Sequence, residues 1–138
     1  MRKMTLAAAG LLATALTWGY GQAATEQYNA KLTGAAEVPP VTSPGTGTAA
    51  VALDTATKQI SYTVTYSGVT ATAAHIHCGA APGANAGVAV KFDNPASPIK
   101  GTATLTDAQL ADLQGGRCYV NIHTDANKGG ELRGQLMK

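Results

Sequence analysis

An all-β domain is the architecture this 138-residue sequence predicts: an antiparallel, Greek-key-like β-sandwich or barrel with one short helix. Three observations predict it. Short runs rich in Thr, Val and Ala alternate apolar with polar residues, the period-2 signature of half-buried strands. Clusters of Gly, Pro, Asn and Asp punctuate those runs at the spacing typical of small all-β domains. One segment alone departs from the alternation, and it carries the residues that start a helix.

In chain order, "YNAKLTG" from Tyr28 reads as a strand, and "EVPPVTSPGTG" (37–47), with three prolines, as a loop. "TAAVALD" (48–54) and "KQISYTVTYSGV" (58–69) form a hairpin-like pair joined by a short polar turn. "TAAHIHC" (72–78) is the next strand, and the glycine-rich "GAAPGANAG" (79–87) a flexible loop directly after it. "VAVKFD" (88–93) and "GTATL" (101–105) are short strands flanking the turn-rich "NPASPIK". In "LTDAQLADLQGG", Thr106 stands as N-cap with Gln109 three residues on, a capping box, so a two-turn helix is expected over 107–114. "RCYVNIHT" (117–124) and "GELRGQLMK" (130–138) close the domain across the polar turn "DANKGG". Seven or eight strands result.

The amino terminus has a different character. Arg2 and Lys3 precede an apolar run from Met4 to Trp18, followed by small residues, the three-part pattern of a secretory signal peptide cleaved after Ala23 or Ala24. That run is shorter than the about 20 residues a membrane span needs. The expected organisation is therefore a leader at 1–24 and one β domain at 25–138, exported to a bacterial periplasm or secreted, without stable membrane insertion after cleavage.

The full chain carries a net charge of +2, but removing the leader takes away two of the ten basic residues and leaves eight against eight acidic ones. A near-neutral domain has no basic stripe for nucleic acid. With its one Trp in the leader it has no aromatic platform for carbohydrate. Phosphate-loop, dinucleotide and nucleophile-elbow patterns are missing as well. Two cysteines in an exported chain, Cys78 and Cys118, point to one disulfide. The rival use of Cys78, as a reduced, soft metal ligand, stays open at this point.

Chemistry concentrates in two stretches. "AHIHCG" (74–79) holds two of the three histidines and one cysteine; "CYVNIHTD" (118–125) holds the third histidine and the other cysteine. Side chains alternate across a strand. Ala74, Ile76 and Cys78 therefore share one face and His75 and His77 the other. Likewise Cys118, Val120 and Ile122 oppose Tyr119, Asn121 and His123. Histidines at i and i+2 stand about 6–7 Å apart at Cα, a span that two ring nitrogens can close around one ion. If the strands are adjacent and antiparallel, His123 completes a three-nitrogen metal site at His75, His77 and His123. Imidazoles suit copper first and zinc second. The alternative is three polar side chains on a solvated sheet face.

Three separated motifs, "LTGAAEVPPV", "AAHIHCGAAPGANAGVAVKF" and "YVNIHTDANKGGELRGQL", resemble the chordin-type (CHRD) domain family from about Tyr28 to Met137. That resemblance implies an extracellular all-β domain rather than a reaction. The site itself is similar to that of copper,zinc superoxide dismutases, β-sandwiches that hold copper with an HxH pair. By that likeness His75 and His77 match the pair, His123 a later ligand, and Arg133 an anion-guiding catalytic arginine. The sequence departs from the pattern in having no fourth histidine and no zinc-bridging one.

The expected function is that of an exported mononuclear copper protein dismutating superoxide. Tyr119 and Asn121 are expected to hydrogen-bond the ligand imidazoles. Loop 79–87 is expected to leave the metal reachable, and Arg133 or Lys128 to favour a small anion or redox partner. An ordinary ion pair with Glu131 is the competing role for Arg133, and sheet packing is that for Tyr119. The competing functions are a non-catalytic periplasmic copper carrier or buffer, a metal-free extracellular interaction module, and zinc hydrolysis with Asp125 or Glu131 as base.

Overall fold

The computed structural model describes residue 19 and residues 24–138. The leader expected over 1–24 lies, except for residues 19 and 24, outside the described residues. The strands are β1 (Thr25–Thr33), β2 (Thr46–Asp54), β3 (Gln59–Ser67), β4 (Ala71–Cys78), β5 (Val88–Lys91), β6 (Ile99–Thr104), β7 (Cys118–Thr124) and β8 (Leu132–Gln135), with helix α1 (Asp107–Gln114) between β6 and β7. All pair antiparallel in one eight-stranded sheet of order β5-β4-β7-β8-β1-β2-β3-β6.

The order follows from two meanders and the crossings between them. Strands β1, β2 and β3 run as neighbours, with Tyr28 opposite Val51 and Val51 opposite Tyr62. The chain then crosses to build β4 and β5, returns to lay β6 beside β3, and crosses again to lay β7 beside β4. The sheet curls until its ends nearly meet, as a barrel. Phe92, just after edge strand β5, packs its ring 4.5 Å from that of Tyr62 on β3.

Alternation along each strand supplies the core. In β1, Tyr28, Ala30 and Leu32 are buried while Gln27, Asn29 and Lys31 are exposed. Val51, Leu53, Ile60, Val64, Ile76, Val120, Ile122 and Leu132 fill the interior from the other strands. Fully burying a side chain of that size stabilises by roughly 1.5–3 kcal/mol. Helix α1 begins at Thr106 with the expected capping box, Thr106 accepting from the Gln109 N–H and Gln109 from the Thr106 N–H. Leu113 and the preceding Leu105 close one end of the barrel over Val51, Ile60, Ile76 and Leu136.

Candidate metal centre

Strands β4 and β7 meet in the register that places Cys78 opposite Cys118, and the two form the one disulfide among the described residues. Counting back, His77 faces Tyr119, His75 faces Asn121, and Ala73 faces His123. Ala74, Ile76, Val120 and Ile122 point into the core. The opposite face gathers all three histidines. His75 Nδ1 lies 3.1 Å from His123 Nε2. Each of the three rings offers a nitrogen within 4.8 Å of the others. Donors on one ion at about 2.0 Å stand about 3.3–3.5 Å apart, so a ring shift of little more than 1 Å gathers the set.

Backbone carbonyls fix which nitrogens are free. His77 Nδ1 donates to the Ala86 carbonyl at 2.9 Å, and His123 Nδ1 donates to the Lys128 carbonyl at 2.8 Å. A carbonyl only accepts, so in both neutral rings the proton sits on Nδ1 and the lone pair on Nε2. His123 Nε2 then accepts from His75 Nδ1. His77 Nε2 is buried without a hydrogen-bond partner. A buried polar atom left unpaired is costly unless something occupies it. Burial, with smaller repulsions from His123, His77 and Lys91, pushes His75 down to about 4. Burial likewise lowers His77. Neutral rings are the metal-binding form, so the donor chemistry fits an imidazole-preferring ion.

The histidine face is only partly solvated. Residues 79–87 fold back over it, and beneath them three side chains stack: Tyr119 lies parallel to His77 at 4.9 Å, and the Arg133 guanidinium sits 3.5 Å over the Tyr119 ring. Arg133 is 3% exposed. Its nitrogens donate to Asn85 Oδ1 at 2.8 Å and to the Ala84 carbonyl at 2.6 Å. The Ala86 N–H donates to the Tyr119 hydroxyl at 3.0 Å.

Several expectations change here. Arg133 neither lies open to an arriving anion nor pairs with Glu131. Glu131 instead accepts from Ser43, Thr124 and Asn127. Tyr119 stacks on an imidazole rather than hydrogen-bonding one, and Asn121 donates to Glu37 and to the Leu132 carbonyl. The glycine-rich loop covers His77, which is 8% exposed, and leaves only the His75 and His123 side of the cluster half-open. Cys78 is spent in the disulfide and offers no thiolate.

Glu37 is the residue whose role the sequence reading missed. It is buried beside Asn121 and Arg133, and burial raises its carboxyl to about 7 against the pull of Arg133 and Asn121. Nothing in "EVPPV" marks it, because its environment is made by strands far along the chain.

An eight-stranded, nearly closed antiparallel barrel bearing a tri-histidine cluster on its outer wall is thus the class of protein the fold defines. Comparison with known families matches residues 28–136 to the CHRD domain, and the chain belongs to that family. No curated protein and no solved structure matches it. No helix among the described residues is long and apolar enough to cross a membrane.

Proposed function

We propose that this domain is an exported, mononuclear copper-binding protein whose ligands are His75, His77 and His123, and that it dismutates superoxide. The observation that carries the metal reading is the buried, partnerless Nε2 of His77 beside two further imidazole nitrogens. The disulfide supports an oxidising compartment, the periplasm or the exterior.

Copper is favoured over zinc by charge. The three donors are neutral, and the buried cation closest to their stack is Arg133. Half-burying a dication among neutral donors beside a guanidinium costs more than half-burying a monocation. Three imidazoles suit the monovalent state of copper. Bound copper would supply one-electron oxidation and reduction of the anion. The chain's own contribution is to hold three lone pairs together, exclude water from the His77 side, and leave the His75–His123 side open. Lys91, exposed and directly across from His75 on β5, is a cation beside that opening in register.

Elemental analysis of protein expressed with copper tests the site. One equivalent is expected in the wild type and little in His75→Ala or His123→Ala; full metal in both variants overturns it. Superoxide turnover exceeding that of free copper, lost on chelation, tests the activity. Full copper with no turnover leaves the carrier reading, which the cover over His77 favours. Finding the mature protein in the periplasm or medium, beginning at residue 24 or 25, tests export.

A further inference from the structure

Three features of the covered face are unused by the site as described: the guanidinium–phenol–imidazole stack, the way residues 79–87 end on it, and the buried position of Arg133. Together they make a mechanical connection. Arg133 reaches the loop through two donated hydrogen bonds, to Asn85 Oδ1 and to the Ala84 carbonyl. The next residue, Ala86, bonds the other two members of the stack: its N–H donates to Tyr119 and its carbonyl accepts from His77 Nδ1. Asn85 also donates to the Val38 carbonyl at 3.1 Å, tying the loop to the segment after β1. At the far end the Cys78 N–H donates to the Gly87 carbonyl at 3.3 Å.

The loop between these anchors has little of its own to hold it. Residues 80–85 and 87 are all half-exposed or exposed, and Gly79 and Gly83 adopt positive φ of 111° and 85°. Only glycine takes such angles at no steric cost. A segment with few apolar contacts and polar anchors opens locally at low free energy. Its opening withdraws the acceptor of His77 Nδ1, and with it the constraint that keeps the His77 lone pair on Nε2.

We propose that Arg133 is a positioning residue: through Tyr119 and the Ala84–Ala86 backbone it clasps residues 79–87 over His77, and opening of this clasp governs how fast the centre exchanges its metal. The exchange part rests on the copper reading above. The clasp does not, because it is made of the chain's own contacts.

Two measurements on the whole domain separate them. In metal-free protein, nitrogen-15 NMR of the wild type is expected to show His77 in one tautomer, protonated on Nδ1, and a protected Ala86 amide. In Arg133→Met the Ala86 amide is expected to exchange about tenfold faster, as loss of one charged hydrogen-bonding partner predicts, and His77 to average between tautomers. Arg133→Lys, which keeps the charge but not the two-pronged grip, is expected to fall between. Asn85→Ala removes an exposed side chain and costs Arg133 only one of its two hydrogen bonds to the loop, leaving the one to the Ala84 carbonyl, so it is expected to fold and to move the same signals the same way. Wild-type exchange and a single tautomer in Arg133→Met or, should that variant not fold, in Asn85→Ala overturn the clasp.

The second measurement loads copper(I) and follows its transfer to a copper(I) chelator. Transfer about tenfold faster from the Asn85→Ala and Arg133 variants, at unchanged stoichiometry, is the expected result. Equal transfer rates overturn the exchange role. Failure of the wild type to take up copper removes the metal reading and the exchange role with it, and leaves the clasp to be decided by NMR.

Discussion

At the scale of single residues, the site depends on which hydrogen bonds are already spent. His77 and His123 each give the Nδ1 proton to a carbonyl, and that leaves Nε2 with a lone pair to offer. Because Arg133 is committed to the loop, Lys91 and the exposed Lys128, whose carbonyl accepts from His123, are the cations left beside the open side. Lys91→Gln is expected to weaken azide binding to copper-loaded protein several-fold and to flatten its salt dependence. Unchanged titrations at low ionic strength would remove Lys91 from that role. Glu37 gives a pH signature. Its folded carboxyl titrates near 7 because it is buried, above the ordinary carboxylate range. A carboxyl raised on folding contributes stability that is complete below the unfolded value and is lost as pH rises through the folded one. Glu37's share of the thermal stability is therefore expected to fall as pH rises between about 5 and 8, opposing the rise that the lowered His75 and His77 give over the acid part of that range. Glu37→Gln keeps the acceptor for Asn121 and is expected to flatten that slope, as melting curves across the range would show.

At the scale of elements, the pairing of β4 with β7 decides everything about the cluster. The disulfide joins residues 40 apart in sequence. In the chain-entropy account, removing it costs about 4 kcal/mol. Chemical denaturation of a Cys78→Ala/Cys118→Ala double variant is expected to show that loss. The variant's copper affinity is expected to fall as well, since the bridge adjoins His77. Affinity equal to the wild type would show that strand pairing alone holds the register. The strands and their faces were legible in the sequence because alternation, turn glycines and the Thr106–Gln109 capping box are local signals. That His75 and His77 share a face with Tyr119, Asn121 and His123 could be read from parity alone. The register was not legible, since nothing local says that Cys78 stands opposite Cys118 rather than diagonal to it. Nor was the cover: what lies over a sheet face depends on residues 37–38 and 79–87 returning from elsewhere in the chain, and their glycines and prolines announce a loop without saying where it rests.

At the scale of the whole molecule, the topology separates chemistry from the rest of the surface. The cluster and its clasp belong to β4, β7 and β8 and the segments over them, whereas β2 and β3 stand two and three places beyond β8 in the sheet order. The outward positions of those two strands, Thr48, Thr63 and Thr65 among them, are exposed or half-exposed and lie on strands that pair with neither β4 nor β7. Replacing Thr63 and Thr65 together by Lys is expected to leave copper stoichiometry unchanged and to alter stability by less than about 1 kcal/mol. A loss of metal would show that the two walls are coupled. An eight-stranded barrel whose interior is filled with apolar side chains needs no hollow for a site, because the three imidazoles hang on the exterior under a small flap. Such a scaffold can acquire a docking face for another macromolecule on its blank side by point substitution, generation after generation, without ever renegotiating the three rings that define it.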